Sequence, residues 1–266
     1  MQTAVPARAS GKAVGTDTGT SNKNHLTANA VPASPPLVPQ QQSPYKALRD
    51  WGDFPQRYSQ LAERAQHGDA GAAMDLYENL SECNGVPSSV ESLKDMQEHM
   101  ASEYRTDSQA YNNSVAVLNK SFQQCSLLTD EQKNTAKHWL SVSAELGNPK
   151  ARLAYVLRGE PDSGSDTYYH DMQDYDANAA RYLTDEIDAG NSNALLIASI
   201  AYGPHGAFAE DPAKAYSYLY AYSLAAADNP DAMVNRLQAL GQTLSSSQLQ
   251  AATAQGEAIY KKCCIR

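Results

Sequence analysis

The sequence predicts an all-α chain of stacked helix–turn–helix repeats, and three observations predict it. First, a phrase recurs in the second half. Ala136-Lys-His-Trp139-Leu140 leads to Ala144 and Gly147-Asn-Pro-Lys-Ala151; Ala179-Ala-Arg-Tyr182-Leu183 leads to Gly190-Asn-Ser-Asn-Ala194; Tyr220 leads to Ala225 and Asp228-Asn-Pro-Asp-Ala232. An aromatic stands eight residues before each turn residue and an alanine four after it. Second, the turn residues lie 43 and 38 positions apart (190 − 147 and 228 − 190), inside the roughly 20–50-residue range of stacked repeats. Third, a fainter copy places Leu61, Ala65, Gly68 and Ala72 in the same register, and the 79 residues from Gly68 to Gly147 (147 − 68) leave room for two periods.

Each copy is justified element by element. Alanine, leucine and lysine or arginine dominate, and apolar positions recur at three- and four-residue steps, the helical period. Gly147 and Gly190 stand where the first helix must stop, a position that often turns left-handed and that glycine enters without steric cost. Asn-Pro in two copies suits the opening of the next helix, because proline is preset for its first position. Ala144 and Ala225 before the turn, and Ala151, Ala194 and Ala232 after it, let paired helices approach closely. Trp139, Tyr182 and Tyr220 then fill the wedge between neighbouring hairpins. One hairpin cannot bury its apolar side alone, so several must stack.

These residues resemble the Sel-one-like repeat, a relative of the tetratricopeptide repeat, with the pattern Ala-Lys-x-(Trp/Tyr)…Ala…Gly-x-x-x-Ala…Tyr-x-x-Gly. The closest stretch is Gly190-x-x-x-Ala194…Tyr202-Gly203 followed by Glu210-Asp211-Pro-Ala-Lys214-Ala215-Tyr216. The likeness covers 135–240, with a weaker copy at 55–82. It departs where Pro-His-Gly-Ala-Phe follows Gly203, in an expanded loop after Gly159, and over 84–134. The resemblance implies an α/α solenoid, a right-handed superhelix whose concave face holds a protein partner. It implies an adaptor role, often in the bacterial envelope, and carries no shared catalytic residues.

Residues 1–44 hold Ala, Thr, Ser, Pro, Gly, Gln and Asn with almost no large apolar side chain, a composition that predicts a disordered tail. The helical-repeat domain is expected over 45–266. It comprises a divergent repeat at 55–82, a degenerate helix pair at 84–134, repeats at 135–160, 178–203 and 212–241, and a capping helix at 245–262. The formal charge of −9 argues against nucleic acid, whose binding is driven by basic side chains displacing counterions. No membrane-spanning run is present, and residues 1–10 lack the apolar stretch of a signal peptide. Two settings follow: a periplasmic or secreted mature chain, or a cytoplasmic one.

The four cysteines favour the first. Cys83 and Cys125 sit at helix ends flanking the degenerate region, where a bridge would staple a weak unit. Of the three connectivities open to four cysteines, 83–125 with 263–264 suits a stacked array best. Cys263 and Cys264 could equally be free or pair between chains, and four reduced thiols remain the other reading.

Within 84–134, Val90, Leu93, Met96 and Met100 form one face of a first helix, and Asp107–Gln124 is a second, carrying Tyr111, Val115, Leu118 and Phe122. Thr129 and Gln132 make a capping box for the helix that carries Trp139. Residues 160–176 read as an acidic, tyrosine-containing loop on a rim. Its aspartates do not match the EF-hand spacing, so no metal or cofactor site is predicted. Ser245 and Gln248 cap the final helix.

Tyrosine is over-used, 16 against 3 Phe. Tyr216 with Tyr220 and Tyr218 with Tyr222 fall on different faces of one helix. Tyr220 aligns with Trp139, which puts the 216/220 face in the core and leaves Tyr218 and Tyr222 partly exposed. Tyr218, Tyr222, Tyr168, Tyr169 and Asp171 are therefore the expected partner-binding residues, tyrosine giving large contact area at low entropic cost. No histidine pair has ligand spacing, and no nucleophile elbow or phosphate loop occurs. The chain is thus expected to be a non-catalytic interaction scaffold. A hydrolase or peptidoglycan-acting enzyme on the same array is the alternative, and it would need a concave cluster of titrating groups.

Overall fold

Three of the expected turns close with one hydrogen-bond pattern. Gly68, Gly147 and Gly190 have φ of 93°, 88° and 86°. Gly147 N–H donates to the Ala144 carbonyl and Asn148 N–H to that of Ser143. Gly190 pairs in the same way with Ile187, and Asn191 with Glu186; Gly68 pairs with Ala65, and Asp69 with Arg64. Paired closures of this kind satisfy the last carbonyls of a helix. The residue after each glycine then caps the next helix: Asp69 accepts from Ala72 N–H, Asn148 from Ala151 and Asn191 from Asn193. A Gly-Asx pair thus ends one helix and starts another. The fourth copy, around Asp228, lies outside the described residues.

The computed structural model describes residues 54–164, 166–226 and 230–265. The predicted tail, 1–44, lies outside them. Twelve helices and no strand occur among the described residues: α1 (Phe54–Gln66), α2 (Ala70–Ser81), α3 (Val90–Glu103), α4 (Ser108–Cys125), α5 (Asp130–Asn134), α6 (Ala136–Glu145), α7 (Pro149–Arg158), α8 (Tyr168–Asp188), α9 (Ser192–Ala201), α10 (Pro212–Ala225), α11 (Pro230–Gly241) and α12 (Ser246–Cys264). The chain is all-α.

Consecutive helices pack as hairpins: α1 on α2, α6 on α7, α8 on α9 and α10 on α11. Between hairpins α2 lies on α6, α7 on α8 and α9, α9 on α10, and α12 on α10. The core runs from Phe54 to Ala201, and a smaller cluster of Leu195, Ala221 and Cys263 follows. Ala144, Ala151, Ala194 and Ala198 are fully buried, and Trp139 and Tyr182 are 4% and 2% exposed, so small side chains at the crossings and rings in the wedges fill this core.

Hairpin α3–α4 departs from the rest. The main packing of α3 is on α4, and only Met100 of α3 is buried. The expected apolar face of α3 is corrected at Val90, which is 72% exposed in a helix whose main neighbour is α4. The sulfurs of Cys83 and Cys125 are 2.17 Å apart, with Cα atoms 5.7 Å apart, which ties the end of α4 to the end of α2. Cys263 and Cys264 are likewise at disulfide distance, 2.28 Å.

Two boundaries differ from expectation. Residues 160–176 are helical from Tyr168 onward, so α8 begins ten residues before the repeat expected at 178–203; Tyr175 is buried in that extension and Met172 packs against the core. The capping box of Thr129 and Gln132 forms, but it opens the short α5. The helix carrying Trp139 starts separately at Ala136, and Thr135 between them turns its hydroxyl to the Gln132 carbonyl. The box of Ser245 and Gln248 opens α12 as expected.

Candidate functional site

Lengthening α8 creates the row that matters. At three- and four-residue steps Asp171, Asp174, Tyr175, Asn178 and Tyr182 share one face of the helix, opposite Lys137, His138, Ser141, Val142 and Glu145 of α6. Two cavities lie between these rows. One, of about 350 Å³, is lined by Val142, Glu145, Leu146, Asn178 and Tyr182. The other, of about 390 Å³, is lined by Lys137, His138, Asp162, Asp171, Asp174 and Tyr175. Ser141 and Tyr155 line both, so the cavities form one groove with Tyr155 of α7 at its middle.

Rings build the floor. Tyr155 meets Tyr182 edge-on at 5.3 Å and lies tilted against Tyr175 at 5.5 Å. The Tyr175 hydroxyl donates to the Val156 carbonyl at 2.7 Å, and that of Tyr182 to Glu145 Oε2 at 2.8 Å. Burial, the largest cause in each case, pushes the Tyr175 and Tyr182 hydroxyls up to about 12 and raises that of Tyr155. All three remain protonated through neutral pH, Tyr175 and Tyr182 as donors.

The two ends of the groove differ in charge. At the Tyr182 end, Arg181 lies over the Tyr182 ring at 4.4 Å and donates to Glu145 and Asn178. The Tyr182 hydroxyl first, and then Arg181, hold the Glu145 carboxyl below its usual range. Charge is matched there, and Val142 and Leu146 supply apolar wall. At the other end Asp162, Asp171 and Asp174 face one lysine, Lys137, which pairs with Asp162 and donates to the Glu160 carbonyl. Asp171 accepts from the Thr167 hydroxyl at 2.6 Å, and Asp174 lies 3.3 Å from the exposed His170.

A second groove, of about 600 Å³, lies on the α2–α7–α9 side, with Met74, Leu153, Leu157 and Ile197 among its apolar lining and a Lys150–Glu78 ion pair at its edge. A smaller one, about 430 Å³, borders Tyr260, Cys263 and Cys264. Among the described residues no group of three His, Cys, Asp or Glu side chains is placed to hold a metal ion.

The expected partner-binding residues are not brought together. Asp171 lines the α6–α8 groove. Tyr168 and Tyr169 pair edge-on at 5.7 Å in the first turn of α8, outside its lining, and Tyr169 is 85% exposed. The expected split of the α10 tyrosines is corrected at Tyr216 and Tyr220: all four rings are half-buried, Tyr218 and Tyr222 as expected, and the 216/220 face is not core. Tyr218 lies flat on Tyr202 at 5.9 Å and packs against both core clusters, and burial raises its hydroxyl. Tyr222 packs on the second cluster. Tyr216 and Tyr220 stack on each other at 6.2 Å and are half-buried as well. The reason is that α10 carries α9, α11 and α12, so each tyrosine face is covered in part.

Sequence reasoning missed Ser141, Tyr155, Tyr175 and Asn178. The available signal was the helical row from Asp171 to Tyr182, which a loop assignment over 160–176 hides. No family model, curated protein or solved structure matches this chain, and no described helix is long and apolar enough to cross a membrane.

Proposed function

We propose that this chain is a non-catalytic protein-interaction scaffold, a solenoid of Sel-one-like repeats that holds a partner segment in the α6–α8 groove. The observation that carries the reading is the groove itself: a ring-floored trough through two cavities, with Tyr155 shared by both. The rings are core side chains, Tyr155, Tyr175 and Tyr182 being 7%, 3% and 2% exposed, so they hold the trough rigid while the rows of α6 and α8 supply its contact surface. The repeat assignment draws support from the three Gly-Asx turns with one hydrogen-bond pattern and from hairpins packed in succession. The titrating groups shifted in the groove are tyrosines pushed up and one carboxyl held down. The tyrosines keep their protons and the carboxyl stays ionised, whereas a hydrolase needs a group poised near its working pH. Two cysteine pairs at disulfide distance favour an oxidising compartment, periplasmic or extracellular, over the cytoplasm.

The test fills each groove in turn. Ser141 is exposed and borders both cavities; Leu157 is 39% exposed in the α2–α7–α9 groove. A partner captured by the unaltered chain and by Leu157→Arg, but lost with Ser141→Arg, supports the reading. Loss with Leu157→Arg alone moves the interface to the opposite groove and overturns the assignment.

A further inference from the structure

The asymmetry of the α6–α8 groove specifies what it takes. We infer that its occupant is an extended peptide segment of a partner protein, carrying an aliphatic or aromatic side chain at the Val142–Tyr182 end and a lysine or arginine at the Asp171–Asp174 end. This rests on the reading of the groove as the interaction site and adds the chemistry and direction of the ligand.

The apolar end offers Val142 and Leu146 over the packed rings of Tyr155 and Tyr182. Its one carboxylate, Glu145, is already engaged by Tyr182 and Arg181. A charged ligand group gains nothing there and loses water, so an apolar side chain is favoured. At the other end Lys137 offsets one of three carboxylates. Among the described residues the Asp171 carboxylate has the Thr167 hydroxyl beside it and that of Asp174 the exposed His170 imidazole, which leaves acceptor capacity on the wall of the trough. A lysine or arginine side chain answers both features: its stem lies along the trough past Gly159 and Pro161 and its head meets the carboxylates. Between the ends the Ser141 hydroxyl donates to the Lys137 carbonyl and keeps its lone pairs for a backbone N–H of the peptide.

Length fixes the spacing. From Asp171 to Tyr182 the helix rises about 16 Å at roughly 1.5 Å per residue. An extended peptide covers that span in about five residues at roughly 3.3 Å each. The basic and apolar residues therefore stand about three to five positions apart.

A phage-displayed library of random linear peptides, selected on the full chain, tests this. The expected result is enrichment of peptides with Lys or Arg at that spacing from an apolar residue. Their affinity falls at least ~10-fold in the double variant Asp171→Asn/Asp174→Asn, as loss of charge-assisted hydrogen bonds predicts, and is abolished by Ser141→Arg. All these positions are on the surface or half-buried, and an unchanged melting temperature verifies that the variants fold. Peptides blocked by Ser141→Arg but lacking a basic residue and indifferent to the double variant would overturn the inference and leave the groove as the interaction site. Peptides indifferent to Ser141→Arg, or no enrichment at all, would overturn both.

Discussion

In α6–α9 every hairpin is closed by a Gly-Asx turn, and its crossings are filled by Ala144, Ala151, Ala194 and Ala198, each fully buried. In α3–α4 no such turn exists. Four side chains of α4 are buried and one of α3, and the end of α4 meets the end of α2 through Cys83 and Cys125. The first region is held by packing that each neighbour supplies to the next. The second hangs on a covalent staple between elements 42 residues apart. The difference teaches that a chain of stacked helices can carry an inserted hairpin if a crosslink replaces the apolar area that the insertion cannot bury.

The largest expected effect separates the two regions. Closing a loop of this length is worth about 4 kcal/mol on the chain-entropy model, as an upper guide. With Cys83→Ala/Cys125→Ala, amide exchange in α3 and α4 should accelerate ~10-fold or more beyond any change in α6–α9, since the hairpin then opens locally. Uniform acceleration across the chain would mean that α3–α4 is no weaker than its neighbours and would remove the contrast.

The second prediction sharpens the turns. Gly147 and Gly190 hold φ of 88° and 86°. At Gly147 an added Cβ would meet only the Arg152 guanidinium, at 3.8 Å, so the cost of Gly147→Ala is backbone strain alone, about 1 kcal/mol. Gly164→Ala, at a glycine with open space and no positive φ, should change stability by less than ~0.5 kcal/mol. Urea midpoints of the two variants measure the gap; equal midpoints would deny the turn its role.

This same turn explains what was legible. Gly-Asx followed four residues on by alanine is a local signal, because the left-handed glycine and the capping side chain act within a few residues of each other. The helical class, the turns at Gly147 and Gly190 and the capping boxes at Thr129 and Ser245 were readable for that reason. The start of α8 was not. Glu160 to Asp166 reads as loop by composition, and only tertiary burial of Tyr175, with its hydroxyl on the Val156 carbonyl, carries the helix back to Tyr168. The site was hidden with it, since Asp171, Asp174 and Asn178 align only once that helix exists. The α10 tyrosines misled for a related reason: which faces of a helix are covered depends on how many neighbours it has, and α12 returns past α11 to pack on α10.

The smallest effect lies inside the packed region, where Glu145 links α6 to α8. Its carboxyl accepts from the Tyr182 hydroxyl at 2.8 Å and from Arg181 at 3.3 Å, and its pKa is lowered from 4.5, the Tyr182 bond being the largest cause. A carboxyl lowered by folding contributes stability above its unfolded pKa and loses it as pH falls through the folded one. Tyr182, pushed up to about 12, stays a donor throughout, so the pH dependence belongs to Glu145 alone. The side chain is 68% exposed, which discounts the pair to a few tenths of a kcal/mol. Glu145→Gln keeps an acceptor and removes the charge. At pH 7 it should lower the unfolding free energy by that small amount, and near pH 3 the difference should shrink toward zero as the native carboxyl takes up its proton. A difference that persists unchanged at low pH would show that shape and not charge joins the two helices at this point, and would leave the Tyr182 end of the groove with a hydrogen bond but no electrostatic lock.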